Sequence, residues 1–443
     1  MTQSTEDLAS AYRASLADLA SWARNQLTAN ILPYWDLHAR DSSGEGFLGE
    51  IRADNTGVPE TERSVVMVSR HLWTYSAASR MLADPSRLAL ANDAYRYLLD
   101  RFRDRVHGGF YWTVKRDGSP AVMKKQIYGQ AFALYALSEY ARLPYLREEV
   151  RAEALSFALA LYELLERHAR ERSFGGYLEA LAQDWATTDD RTLSPVDLDC
   201  DKSMNTNLHV LEALTNLYRV APTQGLRESI VSLLDVHARC IVQADGHLGL
   251  FYHMDWTRMD RKVSYGHDIE ASWLMEEAIE VLDTSGGAGG ENLGEAGLGG
   301  EGADARTEQE TFMAARGAIA ALAESALKEG LDRSSFALEE EAESSSPGAA
   351  RNRHRIWWCQ AEAMVGFLAA WQRTREARYL EAAVGVRDYI DRVLVDRAGG
   401  EWFWGADGGD VPVASQAKGG NWKAGYHDGR ACMELIHRAA PFV

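Results

Sequence analysis

Two stretches decide the fold when set side by side: SRLALANDAYRYLLDRFRDR at 86–105 and MNTNLHVLEALTNLYRVA at 204–221. Both repeat apolar residues at a period near 3.6, so both read as helices. The first keeps a charged stripe and turns it to water; the second is apolar almost all round and has to be enclosed by other helices. The same contrast recurs between LREEVRAEALSFALALYELLERHARE (146–171) and WWCQAEAMVGFLAAW (357–371). The periodicity predicts twelve helices, over 5–29, 61–83, 86–105, 122–143, 146–170, 203–221, 224–243, 266–283, 306–330, 356–374, 377–396 and 424–440. The amphipathic and all-round apolar types alternate through six pairs. That order implies an inner ring of six helices inside an outer ring of six, an all-α (α/α)6 barrel, with 1–443 forming a single catalytic domain.

A second repeat supports the ring. HGGFYWTV (107–114), SFGGYLEAL (173–181), HLGLFYHMDW (247–256) and GGEWFWGADGG (399–409) each follow an amphipathic helix and read as a brief strand or hairpin. Repetition of one supersecondary unit is the signature of stacked helical hairpins, and the wider gap before the fourth stretch implies one skipped turn of the pattern. Two segments interrupt the series. TSGGAGGENLGEAGLGGEGADA (284–305), with nine glycines, is expected to be a flexible loop on the side away from the Gly-aromatic turns. The acidic, Ser-rich stretch 331–355 falls on the same side as those turns and is expected to be a solvated connection, with a lid as the alternative.

Composition narrows the functions. The 443 residues are 46% hydrophobic and 10% aromatic, enough for a large core. Lys and Arg number 47 against 65 Asp and Glu, a net charge of −18, which argues against a nucleic-acid partner. No apolar run is long enough to cross a membrane, and the charged, amphipathic N-terminus lacks the layout of a signal peptide. A cytoplasmic protein, monomer or weak dimer, is expected. Cys200, Cys240, Cys359 and Cys432 lie far apart with no CxxC, so neither a disulfide framework nor a zinc knuckle is expected.

If the Gly-aromatic turns share one face of the barrel, the N-terminal ends of the inner helices share it too. Those ends hold Arg70, Gln126 and Tyr128, Asn205 and His209, His267 and Glu270, Trp357, Trp358 and Glu362, and Trp422 and His427. Tryptophans interleaved with polar groups suit a neutral sugar, and three histidines suit proton transfer near neutral pH. His267 and Glu270, three apart on one helix face, are expected to pair, the carboxylate raising the histidine pKa. Zinc on His209, His267 and His427 is a rival reading without characteristic spacing. Asp197, Glu270 and Glu362 would be the carboxylates of a glycoside hydrolase. No GxSxG elbow or GxxxxGK[ST] loop occurs.

SRHLWTYSA (69–77), KKQIYGQAFALYALSEYA (124–141), KSMNTNLHVLEALTNLYRV (202–220), SYGHDIEASWLMEEA (264–278), WWCQAEAMVGFLAA (357–370) and WKAGYHDGRACMELIHRA (422–439) occur in order. Together they resemble the cellobiose 2-epimerases of the N-acylglucosamine 2-epimerase superfamily. The resemblance implies an (α/α)6 barrel that epimerises C2 of the reducing-end glucose in a β-1,4-linked disaccharide, with neither metal nor nucleotide cofactor. It implies His267 and His427 as the acid/base pair, Glu270 as the carboxylate supporting the first, and Arg70 and His209 as contacts to the open-chain oxygens. Asn205 would line the sugar pocket, Asp197 would serve ring opening, and Trp422 with Trp357 or Trp358 would stack on the sugar, beside Tyr128 and Glu362. A mannose isomerase or mannose 2-epimerase of the same superfamily is the alternative.

Overall fold

The computed structural model describes residues 5–42, 46–286, 301–346 and 348–443. Among them are thirteen α-helices: α1 (Thr5–Asn25), α2 (Leu32–His38), α3 (Val65–Met81), α4 (Leu88–Tyr97), α5 (Ile127–Ala141), α6 (Glu148–Leu164), α7 (Met204–Tyr218), α8 (Gln224–Val236), α9 (Tyr265–Gly286), α10 (Glu301–Ser325), α11 (Trp357–Thr374), α12 (Ala377–Tyr389) and α13 (His427–Ala439). The inner ring is α3, α5, α7, α9, α11 and α13, each packed on the next, with α13 closing on α3. Helices α4, α6, α8, α10 and α12 each back their inner partner, and α1 covers α13. Helix α5 shows why: all fifteen of its residues are buried, down to Ser138 and Glu139. No helix among the described residues is long and apolar enough to cross a membrane.

Helix ends depart from the periodicity in two systematic ways. The inner helices other than α9 start later than expected, and the two residues before α3, α5, α7, α9 and α11 are extended. The first segment runs on past 29: a π-type turn at Gln26–Ile31 carries α1 into α2, whose Pro33 sits in the first turn, where a missing N–H costs nothing. Similar π-type turns end the outer helices at Leu98–Phe102, Leu165–Ala169, His237–Ile241, Ala326–Gly330 and Ile390–Leu394.

The extended pairs form a cyclic handshake. Arg63–Ser64 pairs antiparallel with Thr113–Val114, Lys125–Gln126 with Ala180–Leu181, and Lys202–Ser203 with Phe251–Tyr252. Val263–Ser264 pairs with Glu341–Ala342, Arg355–Ile356 with Gly405–Ala406, and Gly419–Gly420 with Glu50–Ile51. Each hairpin thus grips the turn of the next, and the last grips the first. Single bridges brace the turns at Arg40–Phe47, Arg103–Phe110, Arg170–Tyr177, Val242–Leu248, Leu331–Leu338 and Val395–Trp402.

The 331–355 stretch is therefore not a solvated connection. It carries the fifth of these turns, with Ala337 and Leu338 fully buried. Its glycines are missing because Phe336 itself adopts the positive φ of 63°, so the Gly-aromatic signature is absent while the geometry is kept. Of the other predicted loop, 284–305, both ends are helical. Helix α9 reaches Gly286 and α10 begins at Glu301, and 287–300 lie outside the described residues.

Inner-helix amides hold the turns. Gln130 accepts from the Phe110 N–H (2.9 Å) and donates to its carbonyl (2.8 Å). Asn207 does the same for Tyr177 (2.7 and 3.1 Å), and Gln360 for Leu338 (2.7 and 2.8 Å). At the Asn207 clamp the residue before the bridge has to be glycine: a Cβ on Gly176, at φ 80°, would stand 2.8 Å from Asn207 Oδ1 and 2.5 Å from the Trp256 ring. Replacing Asn207 with Leu keeps the branching of the side chain and strands two buried backbone groups. The expected loss is about 2–4 kcal/mol in urea unfolding; a loss under about 1 kcal/mol would mean that the turn does not depend on the clamp.

Candidate active site

All six inner helices and two turns converge on one cavity of about 240 Å³. Of the residues picked out in the sequence, Arg70, Tyr128, Asn205, His209, His267, Glu270, Trp357, Trp358, Trp422 and His427 line it. Glu362 lies directly behind His427. Asp197 is not brought to the cavity; it sits half-buried in the loop before α7. There, burial and the Asp197 charge push Glu179 up to about 7, while Gln126 donates to Glu179 at 3.0 Å. Trp404, Glu340 and Ile356 also line the cavity and were not anticipated.

The aromatic side chains divide into packing and platform. Trp357 is 2% exposed and packs on Trp404 with centroids 4.3 Å apart. Trp358, Trp404 and Trp422 are half-buried and offer indole surface. Trp358 lies between the two histidines, 4.7 Å from the His267 ring and 5.8 Å from the His427 ring. Tyr128 accepts from Arg70 at 3.1 Å, and Arg70 also donates to the Trp422 carbonyl at 2.5 Å. Arg70 Nε is buried with no hydrogen-bond partner among the described residues, and so is Asn205 Oδ1.

The histidines are held differently. His427 Nδ1 is 2.7 Å from Glu362 Oε1, and His209 Nδ1 is 2.8 Å from Glu212 Oε2. A carboxylate only accepts, so each ring carries its proton on Nδ1 and leaves Nε2 bare. His267 Nδ1 instead bonds Ser264 Oγ at 2.7 Å. The expected His267–Glu270 pair does not form, because Glu270 turns to Arg430 at 2.8 Å. Burial pushes His267 down to about 3, with His209 adding to the shift, and burial likewise pushes His427 down to about 3. Both rings are neutral at pH 7 and available as bases.

The residue that orders this site is one the sequence reading passed over. Arg430 is 1% exposed and is shared by three buried carboxylates. Its NH2 donates to Glu270 Oε1 and Glu362 Oε1, both at 2.8 Å, and its NH1 bonds Glu212 Oε1. Glu270, Glu362 and His427 offer ligand-type atoms within 4.8 Å of one another, and the positive charge among them is this guanidinium. A signal was present: His209, His267 and His427 are each followed three residues later by a charge, Glu212, Glu270 and Arg430. Such a charge shares the histidine's helix face and needs an opposite partner inside the ring.

Comparison with known proteins gives the family. The family model described as N-acylglucosamine 2-epimerase (GlcNAc 2-epimerase) matches residues 46–287 and 301–431, and the chain belongs to that family of sugar epimerases. A cellobiose 2-epimerase of Bacteroides fragilis is 35% identical over 414 residues, which span 93% of this chain and 97% of that one. The structure of cellobiose 2-epimerase from Spirochaeta thermophila aligns with a TM-score of 0.82 at 37% identity, covering 97% of this chain and 98% of the other. A D-mannose isomerase of Marinomonas mediterranea is 25% identical over 173 residues, only 39% of either chain.

Arg430→Met leaves three buried carboxylates around no cation. It is expected to cost about 3–5 kcal/mol in denaturant unfolding. In a Glu362→Gln background the same change is expected to cost less, since one of the charges it neutralises is already gone.

Proposed function

We propose that the protein inverts C2 of the reducing-end glucose of cellobiose and related β-1,4-linked disaccharides. The observation that carries this reading is the pair of neutral imidazoles, His267 and His427, set about one indole in a cavity that takes one hexose unit. The sugar ring opens, an imidazole nitrogen takes the C2 proton, and a cis-enediol(ate) forms. Rotation about C2–C3 then presents the other face for reprotonation by imidazolium. Arg70 supports the developing negative charge on the open-chain oxygen. Asn205 and His209 are placed to contact the sugar hydroxyls, and Trp358, Trp404 and Trp422 to stack on its rings. Asp197 is assigned to ring opening only by resemblance to relatives.

The disaccharide is favoured over mannose because the relatives that match along nearly the whole chain are cellobiose epimerases, whereas the mannose isomerase matches over a minority of it. Glycoside hydrolysis is disfavoured by geometry. It wants two carboxyl groups facing each other across the glycosidic bond. Of Asp197, Glu270 and Glu362, only Glu270 lines the cavity, Glu362 is spent on His427 and Arg430, and the other carboxyl of the lining, Glu340, accepts from Asn352 at 2.7 Å.

NMR of the protein with cellobiose in D2O tests the reading. The expected product is 4-O-glucosyl-mannose carrying deuterium at C2. Released glucose, or conversion of mannose with cellobiose untouched, would overturn it. His267→Ala and His427→Ala are each expected to lower kcat by about 10²–10⁴-fold. Trp358→Ala is expected to act mainly on KM.

A further inference from the structure

The three carboxylates around Arg430 are not equivalent. Glu362 accepts from His427, Trp273 and Arg430. Glu212 accepts from His209, Tyr426 and Arg430. Glu270 accepts, among the described residues, from Arg430 alone. It is also the one member of the three that lines the cavity. Three carboxylates in a dry interior cannot all be ionised against one guanidinium, so one of them holds a proton. The group with fewest donors gives up least by keeping it.

We propose that Arg430, by engaging Glu212 and Glu362 as its charged partners, leaves Glu270 as the proton-bearing carboxyl of the site. Glu270 is then a general acid facing the sugar and not a carboxylate serving His267. The inference rests on the epimerase reading for its chemistry but not for its geometry. Burial pushes Glu270 up to about 8, with the Glu362 and Glu212 charges adding to the shift and Arg430 opposing it. Glu362 goes the opposite way, held down to about 2 by Arg430 and His427 against its own burial. The remaining groups that face Glu270 are His209 on α7, His267 on its own helix, His427 on α13, Arg70 on α3 and Tyr128 on α5. Cys359 on α11 and Glu340 at the rim complete the set. Cys359 and Tyr128 are both pushed up by burial, so neither thiolate nor phenolate competes near neutral pH.

The step balances with the site as it stands. When the C2–H bond breaks, its proton goes to an imidazole nitrogen and its electron pair becomes the C1–C2 π bond. The carbonyl π pair moves to O1, which takes the proton from Glu270. Neutral acid and neutral base become carboxylate and imidazolium, with no net charge gained in the cavity. In the return, O1 gives its proton back to Glu270 as the carbonyl re-forms and the imidazolium protonates C2. Arg430 touches no substrate; it is a positioning residue whose contacts decide which carboxyl keeps the proton.

Infrared spectroscopy of the sugar-free enzyme tests this directly. The difference spectrum of wild type minus Glu270→Gln isolates Glu270 from other buried acids such as Asp428, which burial and Glu401 also hold above the usual range. The expected difference at neutral pH is a carboxylic-acid band that titrates away near pH 8. A carboxylate band in its place would overturn the proposal. Glu362→Gln removes a neighbouring negative charge and is expected to lower that midpoint by about 1–3 units. Arg430→Gln is expected to raise it; a midpoint that ignores Glu362→Gln would overturn the role of the cluster. The rate follows the same sign: acid chemistry by Glu270 is present below its pKa and lost as pH rises through about 8. An acid band without cellobiose turnover would leave the proton assignment standing and remove only the proposed substrate.

Discussion

One guanidinium shared by three buried carboxylates is the constraint on which the rest of this site depends. Arg430 sits on the last helix, Glu212, Glu270 and Glu362 on three others, and each hydrogen bond ties the last helix to another inner helix. The desolvation of four ionisable groups is offset only when all are present and placed together. The barrel supplies that placement through a ring of apolar helices that admits little water between the charges. The histidines then inherit their orientation, because two of the three lean on carboxylates that Arg430 has already fixed.

The same arrangement explains how imidazoles remain useful as bases in an acidic protein. A carboxylate against each ring would ordinarily raise its pKa. Here burial dominates, and His267 and His427 both fall to about 3 despite the nearby negative charge. Glu362 thus acts mainly as a tautomer lock on His427. Ser264 holds His267 without adding a charge, so the two rings differ in support while sharing a protonation state.

The ring of alternating helices was legible because burial on all sides leaves a plain mark: an inner helix such as α7 has no polar stripe, and α4 has one. The mouth was legible for the same reason, since polar and aromatic residues at the starts of apolar helices have to face something. The fifth turn was hidden where Phe336 took over a glycine's conformation and an acidic run obscured the pattern. Arg430 escaped notice because its partners are spread from 212 to 362, and spacing along the chain reveals i,i+3 neighbours but not contacts between helices. The His267–Glu270 pairing was misread in the same way: the two share a helix face, and a stronger partner from another helix claimed the carboxylate.

The cyclic handshake of extended pairs has a consequence for how this protein comes into being. Glu50–Ile51 waits for Gly419–Gly420, and Ser64 for Asn421, so the first turn of the barrel stays open until nearly the whole chain has emerged. The same closing segment delivers Trp422, His427 and Arg430. Contacts of such sequence separation form late. Closure of the barrel and completion of the cavity therefore arrive in a single event, and a chain that stalls before its final helix lacks both.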